Sequence, residues 1–350
     1  MSFLFLIVCK KRLVYKHKVN KHEYHADNRT AVRNVEPRKT ARSENNIQES
    51  IAQVYIQILY AAESVKVNES TLQVSIAQRD RGQELLNAGS IAKSDFAQLE
   101  AQVSTDRYQL VTAQATLEDY KLQLKQLLEL DGENEMNIYL PALSDENVLA
   151  PLPTKKDVYI RALSLRPEIE ASKLNVEASE LGIGIAKSSY LPTISLSAGI
   201  GTNHTSGSDF TFGEQVKNGW NNSIGLSVSV PIFNNRQTKS AVQKAKLQYE
   251  TSMLSLLDEQ KTLYKTIEGL WLDANSAQQR YAAANEKLKS TQISYELISE
   301  QFNLGMKNTI ELLTEKNNLL QAQQEQLQAK YMAILNTQLL KFYQGDKLAL

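Results

Sequence analysis

A short motif occurs twice in this chain, each time between two long segments with heptad-spaced apolar residues. The first copy is Leu-Asn-Ala-Gly at 86–89, and Asp95 follows six positions after its glycine. The second copy is Phe-Asn-Leu-Gly at 302–305, and Glu311 follows at the same offset. The two glycines differ by 216 positions (305 − 89). A repeat this long, centred on helical hairpins, is typical of a duplicated structural protein rather than an enzyme.

Composition excludes several classes of protein. The 39 basic and 39 acidic residues leave no formal net charge, which argues against a nucleic-acid partner. The single cysteine, Cys9, excludes a disulfide framework, and the four histidines lack the spacing of a metal site. We therefore expect no catalysis, cofactor or metal, and expect the many acidic residues of the helices to lie on solvated faces.

Apolar spacing predicts the helices. The first is expected from about Ser43 to about Ala88, where Gly89 ends it in a left-handed conformation. Ser90 or Ser94 is expected to cap the return helix, which carries a coiled-coil seam and ends near residues 131–132. The seam residues of the first two helices are Ile51, Val54, Ile58, Ala61, Val65 and Leu72, then Phe96, Val103, Leu110, Leu117 and Leu124.

The second half repeats this plan. One helix is expected over 154–188, a very long one over 236–304 and a last one from Gly305 to about Gly345. Heptads alone favour a cytosolic antiparallel coiled coil. The seam residues are Ile267, Leu270, Ala274, Ala277, Tyr281, Ala284, Leu288, Tyr295, Ile298 and Phe302, then Leu313, Leu320, Leu327 and Ile334.

Between these helices the period changes to two, which predicts a strand pair over about 191–233. Each strand has an apolar face opposite small polar residues and about the 9–11 residues that cross a bilayer. The long polar connection, 202–222, includes Trp220. A soluble hairpin packed on one face has the same pattern. The apolar residues are Ile194, Leu196, Ala198, Ile200, Ile224, Leu226, Val228 and Val230.

Residues 1–44 differ from the rest of the chain, because they are basic and show no apolar period. They are interpreted as a disordered or foreign leader, with an electrostatic patch as the alternative. A short apolar run before Cys9 resembles a lipoprotein cleavage site, except that Val8 is larger than usual there.

Three motifs, with the two glycine turns, carry a family resemblance. They are Arg-Pro-Glu-Ile at 166–169, Leu-Pro-Thr at 191–193 and Val-Pro-Ile-Phe at 230–233. Over about residues 45–345 the chain resembles the TolC-like outer-membrane efflux proteins. The family often has two glycines after the phenylalanine, where this chain has Asn234 and Asn235. Asparagine tolerates the same positive φ, so the turn is expected to persist.

The resemblance implies a mainly α fold. Long antiparallel helical hairpins form an α-barrel tunnel across the periplasm, and a short β-hairpin contributes to a trimeric β-barrel in the outer membrane. The implied partners are two further copies of the chain, a periplasmic adaptor protein, an inner-membrane pump and outer-membrane lipid. The first repeat is assigned to 45–150 and the second to 151–350. The implied function is a passive export duct for small molecules.

The resemblance also implies site residues. The adaptor would meet two tips, formed by Ala88, Gly89, Ser90, Leu304, Gly305 and Met306. The family closes its tunnel with inward-facing acidic residues, for which Glu311 fits best and Glu315 and Asp95 are further candidates. Glu311 and Asp95 have a plain alternative, because an acidic residue in the first turn of a helix stabilises the helix dipole.

The repeat offset predicts what the first repeat contains. Subtracting 216 from 191–233 gives −25 to 17, so we expect the chain to lack the signal, first helix and first strand pair of a complete member. Six strands per trimer would fall below the eight of the smallest bacterial barrels. This count makes a non-functional fragment of the channel one alternative to the duct, and the heptads make a soluble coiled-coil scaffold the other.

Overall fold

A computed structural model of the chain describes residues 21–130, 138–139, 148–207 and 209–348, with side chains from residue 25 onward. The predictions for residues 1–20, including Cys9, lie outside this range. The α-helices are α1 (Lys21–Asn87), α2 (Lys93–Leu127), α3 (Lys155–Leu165), α4 (Pro167–Lys187), α5 (Phe212–Asn218), α6 (Gln237–Asn303) and α7 (Thr309–Tyr343). The strands are β1 (Thr193–Gly201) and β2 (Asn221–Ser229).

The four long helices confirm the duplication and extend it. Helices α2 and α7 both have 35 residues, and the described part of α1 is as long as α6. The end of α6 and both ends of α7 lie 216 positions after their counterparts in the first pair (303 − 87, 309 − 93 and 343 − 127). The offset read from one short motif therefore holds along the described part of both helical hairpins.

The first helix begins earlier than expected. Its described part starts at Lys21, so residues 21–44 are helical and not an unpatterned leader. Ala31 and Val35 are buried, and they lie one helical turn apart on one face. Two small apolar residues among many charged ones give too weak a period for detection from sequence.

The third predicted helix is two helices. Helix α3 ends at Leu165 and α4 begins at Pro167, while Arg166 between them is extended, with φ −74° and ψ 124°. A proline disfavours the helical conformation of the residue before it, and a proline is well tolerated in the first turn of a helix. A 3₁₀ turn, Ser188–Tyr190, follows α4.

The β-hairpin is an antiparallel pair in which Ile194 lies opposite Val228 and Leu196 opposite Leu226. The apolar residues thus share one face, as predicted. Val230 is an exception, because β2 ends at Ser229. The connection is shorter than expected, since Asn221 and Asn222 belong to β2, and it contains α5.

The described residues divide into two compact units. One comprises the chain up to Lys39 and Glu168–Glu259, which includes the β-hairpin. The other comprises Thr40–Pro167 and Gln260–Leu350. The core of this second unit is formed by residues of α1, α6 and α7 and of the segment before α3: Ile56, Leu59, Val148, Ala277, Tyr281, Leu327, Ala329, Tyr331, Ala333, Ile334, Leu335 and Leu339.

The predicted seams point inward. In α6, six of the predicted residues are buried, namely Ile267, Ala274, Ala277, Tyr281, Ala284 and Phe302. On α7 the most buried row near the helix start is Leu312, Lys316 and Leu319, one position away from the predicted row of Leu313 and Leu320. The spacing therefore located the buried face of α7 to within one residue.

Candidate functional site: two helical tips and a strand pair

The two helical tips have the same backbone geometry. Gly89 and Gly305 have φ values of 72° and 73°, the left-handed conformation predicted for them. The amide of Ser90 donates to the Leu85 carbonyl at 2.8 Å, and that of Met306 donates to the Gln301 carbonyl at 2.8 Å. These six-residue bonds form a Schellman motif, which ends a helix and satisfies its last carbonyls.

The side chains at the two tips differ. All six predicted tip residues are exposed. The second tip presents two large apolar side chains, Leu304 at 75% and Met306 at 71% exposure. The first tip has Ala88 and Ser90 at the equivalent positions. The second tip therefore offers more apolar surface to a partner than the first.

The helices that leave the tips also start differently. Helix α7 has Asn308 at its N-cap, whose side chain accepts from the Glu311 amide at 2.9 Å, while Glu311 accepts from the Asn308 amide at 3.2 Å. This reciprocal pair is a capping box. Helix α2 has Ala92 at the equivalent position and no side-chain cap. The prediction that Ser90 or Ser94 caps α2 is wrong, because neither occupies the N-cap position.

Glu311 has two roles at the start of α7. Its Oε1 accepts from Lys307 Nζ at 2.6 Å, and its Oε2 belongs to the capping box. These hydrogen bonds hold the pKa of Glu311 below its usual value, and the bond from Lys307 has the largest effect. A lowered carboxyl pKa stabilises the fold above the unfolded-state pKa, and this contribution is lost as pH falls through the folded-state pKa. Glu311 thus caps the start of α7, and its role in closing a tunnel stays a prediction.

The other two acidic candidates lie on the same two helices. Glu315 Oε2 accepts from Ser294 Oγ of α6 at 3.2 Å, and its Oε1 accepts from Asn318 Nδ2 at 3.4 Å. Asp95 lies in the first turn of α2, where it can interact with the helix dipole but has no capping box to close. A role of these residues in closing a tunnel stays a prediction.

The difference between the caps yields a paired prediction. Replacing Asn308 with alanine is expected to lower the free energy of unfolding by about 1 kcal/mol, because the Glu311 amide loses its acceptor. Replacing Ala92 with asparagine is expected to raise it by about the same amount, since the equivalent acceptor is supplied to α2. Urea unfolding followed by far-ultraviolet circular dichroism measures both. Equal and opposite shifts support the repeat equivalence, and a destabilising Ala92→Asn contradicts it.

Both faces of the β-hairpin are open in the single chain. Ile224 is 84% and Leu226 is 70% exposed, and Val228 and Ile200 are also exposed. The opposite face carries cross-strand pairs of small residues, such as Ser195 with Ser227 and Ser197 with Gly225. Apart from Ile194, which is half-buried, the apolar face therefore has no cover from the described residues of this chain, unlike the packed face expected of a soluble hairpin.

A buried polar cluster near the tips was missed by the sequence analysis. Asp106 of α2 pairs with Lys316 of α7, and the Ser75 hydroxyl of α1 contacts both. Asp106 is 2% and Lys316 is 3% exposed. Burial lowers the pKa of Lys316, although Asp106 opposes this shift. The expectation that acidic residues of these helices lie on solvated faces is therefore wrong for Asp106.

Two features are absent from the described part of the chain. No helix there has the length and apolar content to cross a membrane. Within the same residues, no group of three or more histidine, cysteine, aspartate or glutamate side chains is placed to hold a metal ion.

The fold belongs to a known class of protein. The structure superposes on the outer membrane channel CmeC of Campylobacter jejuni with a TM-score of 0.78, over 96% of this chain and 71% of that one, at 18% identity. The fold is thus that of the outer-membrane channels, with long helical hairpins and a small sheet.

Sequence comparison identifies the family to which the chain belongs. A profile of the outer membrane efflux protein family matches residues 158–345, more than half of the chain. The chain belongs to this family. It is 24% identical over 294 residues to the outer membrane efflux protein BepC of Brucella suis and 24% identical over 294 residues to the outer membrane protein TolC of Escherichia coli.

The alignments cover a larger share of this chain than of its relatives. These alignments cover 83% and 81% of this chain but only 61% and 58% of BepC and TolC. The chain thus spans about three fifths of the length of the curated relatives it matches.

Proposed function

We propose that this protein is the outer-membrane channel component of a tripartite efflux or type I secretion-like system. It would act as a passive export duct for small molecules. Copies of the chain assemble as a homotrimer, their long helices line a tunnel in the periplasm, and their strands enter the outer membrane. A periplasmic adaptor protein links this tunnel to an inner-membrane pump. Family membership and the shared fold support this proposal.

One observation carries the proposal furthest, the open apolar face of the β-hairpin. Four aliphatic side chains that alternate along β1 and β2 are exposed: Ile200, Ile224, Leu226 and Val228. Exposing such side chains to water is unfavourable by about 25 cal/mol per Å² of apolar surface. Lipid would cover this apolar face. Further strands would pair with the free edges of the hairpin, since the backbone groups of strand edges in lipid must be hydrogen-bonded.

The tips are proposed to bind the adaptor. Leu304 and Met306 form an exposed apolar pair beside the Gly305 turn, which suits a partner that buries apolar surface. The first tip, Ala88, Gly89 and Ser90, would contribute a smaller contact. Near these tips Glu311, with Glu315 and Asp95, is proposed to narrow the tunnel entrance by its negative charge.

The soluble scaffold is the competing proposal. Buried helical seams fit both proposals, because coiled coils of either kind bury the same heptad positions. The strand face separates them, since a scaffold in water would have to cover these side chains with another protein. Location of the chain in the cell decides between the two.

Arginine substitutions on the two strand faces test the membrane proposal. Leu226→Arg is expected to reduce the amount of protein in the outer-membrane fraction strongly, because an arginine facing lipid costs about 2–4 kcal/mol at mid-membrane. Ser227→Arg lies next to it on the opposite face and is the matched control. The measurement is the detergent-extractable protein in isolated outer membranes, relative to total protein.

The outcomes are distinct. A large loss for Leu226→Arg with Ser227→Arg close to the parent supports a lipid-facing apolar side. Equal yields for the two variants, or a parent protein that is soluble without detergent, contradict the channel proposal. Transport is tested separately, by the sensitivity of a deletion strain to toxic small molecules and its rescue by the gene.

A further inference from the structure

The buried cluster draws its members from both halves of the repeat. Ser75 and Asp106 come from the first helical hairpin, and Lys316 comes from the second. Asp106 uses both carboxylate oxygens, because Oδ1 accepts from Gln102 Nε2 at 2.9 Å while Oδ2 contacts Ser75 and Lys316. The ion pair is thus embedded in a small network and is closed to solvent.

Two copies of the same helical hairpin cannot form this network. The repeat offset places Ala322 of α7 at the position of Asp106 and Glu100 of α2 at that of Lys316. Ala322 is buried and Glu100 is exposed. Each hairpin therefore holds a different part of the cluster, although the two hairpins match in length and in turn geometry.

Because the two helical hairpins are similar in length, their apolar contacts alone do not determine which helices pair. In a mixture of chains, α2 of one copy could pair with α2 of another, and α7 with α7, because their apolar seams are similar. In the native register the first pairing would set Asp106 of one copy against Glu100 of the other, and the second would set Lys316 against Ala322, so neither pairing supplies the opposite charge. Buried charges without partners are strongly unfavourable, and polar groups at seam positions are known to select register and partner.

We propose that the Ser75–Asp106–Lys316 cluster determines which helices pair. It directs α7 to pair with α2 in a single register and excludes pairing between like hairpins. Apolar contacts supply the association of the helices, and the cluster supplies its specificity. This proposal concerns assembly alone and holds whether or not the protein transports anything.

Cross-linking reads the pairing directly. Gln102 of α2 and Asn317 of α7 are in contact, with Nε2 to Oδ1 at 3.5 Å. In a full-length Cys9→Ser background, the pair Gln102→Cys and Asn317→Cys reports the α2–α7 contact with a short thiol cross-linker. Each single cysteine variant reports pairing between like hairpins, because only two copies meeting at the same position give a cross-linked dimer.

The decisive comparison uses an apolar version of the cluster, Asp106→Leu with Lys316→Met. The dimer yield of the single-cysteine variants is expected to rise about tenfold or more, since tenfold corresponds to only about 1.4 kcal/mol. The parent cluster is expected to give the α2–α7 cross-link with few dimers. An apolar version that folds and gives no more dimers than the parent overturns the proposal.

Charge reversal covers the case in which the apolar version fails to fold. Asp106→Lys or Lys316→Asp alone is expected to reduce the α2–α7 cross-link several-fold, and the two together are expected to restore it. Ser75 fits either arrangement, because a hydroxyl both donates and accepts. If the double reversal gives no more α2–α7 cross-link than either single reversal, or the single reversals leave the yield unchanged, the cluster carries no pairing information.

Discussion

Replacing Asp106 with alanine is expected to lower the free energy of unfolding by about 3–5 kcal/mol, the range found when one partner of a buried ion pair is removed. Lys316 would then be buried without a carboxylate, and Ser75 and Gln102 would each lose an acceptor. The measurement is urea unfolding of the detergent-solubilised protein, followed by far-ultraviolet circular dichroism.

Two controls separate charge from packing. Asp119→Ala removes an exposed carboxylate from the same helix, and it is expected to change the free energy of unfolding by less than about 0.5 kcal/mol. The double variant Asp106→Leu/Lys316→Met removes both charges together and is expected to be neutral or stabilising by about 1–4 kcal/mol. A double variant as unstable as Asp106→Ala would show that packing, and not the unpaired lysine, sets the cost.

The long helices and the strand pair could be predicted from sequence because their patterns are strong. The α6 seam runs through ten apolar positions, and the residues at those positions are buried or half-buried. The period-two stretches predicted both ends of β1 and the start of β2 to within two residues, whereas the predicted end of the pair, residue 233, lies four residues beyond the end of β2 at Ser229. Gly89 and Gly305 were recognisable because glycine accepts a positive φ without strain.

Local details of the chain were harder to predict. The break at Arg166 depends on Pro167, which the continuous apolar spacing of 154–188 concealed. After β2, positive φ values occur at Asn235, as expected, and at Arg236, which no composition rule suggests. The cap of α2 was misplaced by two positions, because its N-cap is Ala92, which lies midway between the predicted Ser90 and Ser94. Such choices rest on backbone geometry that residue type only biases.

The buried cluster was missed for a different reason. Asp106 and Lys316 are far apart in sequence, and charged residues of long helices are mostly solvated. Their spacing held a signal, because Asp106 follows buried Val103 by three positions and Lys316 follows buried Leu312 by four, which places each on the buried face. When two pairing helices carry opposite charges on their buried faces, the sequence predicts a buried ion pair between them.

The second large effect is expected at Arg166. Replacing Arg166 with methionine is expected to lower the free energy of unfolding by about 3 kcal/mol, near the low end for a buried pair because Glu49 is partly exposed. The Arg166 guanidinium bonds to Glu49 of α1 at 2.9 Å and lies 3.5 Å from the ring centre of Tyr343 at the end of α7. It therefore holds the end of α3 against two long helices of the same compact unit.

Lysine at this position separates the two contributions. Arg166→Lys keeps the charge for Glu49 but loses the planar group that stacks on Tyr343, so its cost is expected to fall between those of the parent and Arg166→Met. Arg161→Met, on an exposed face of α3, is the matched control and is expected to change the free energy of unfolding by less than about 0.5 kcal/mol. If Arg166→Lys costs as much as Arg166→Met, stacking on Tyr343 dominates; if Arg166→Met costs no more than Arg161→Met, Arg166 does not anchor α3.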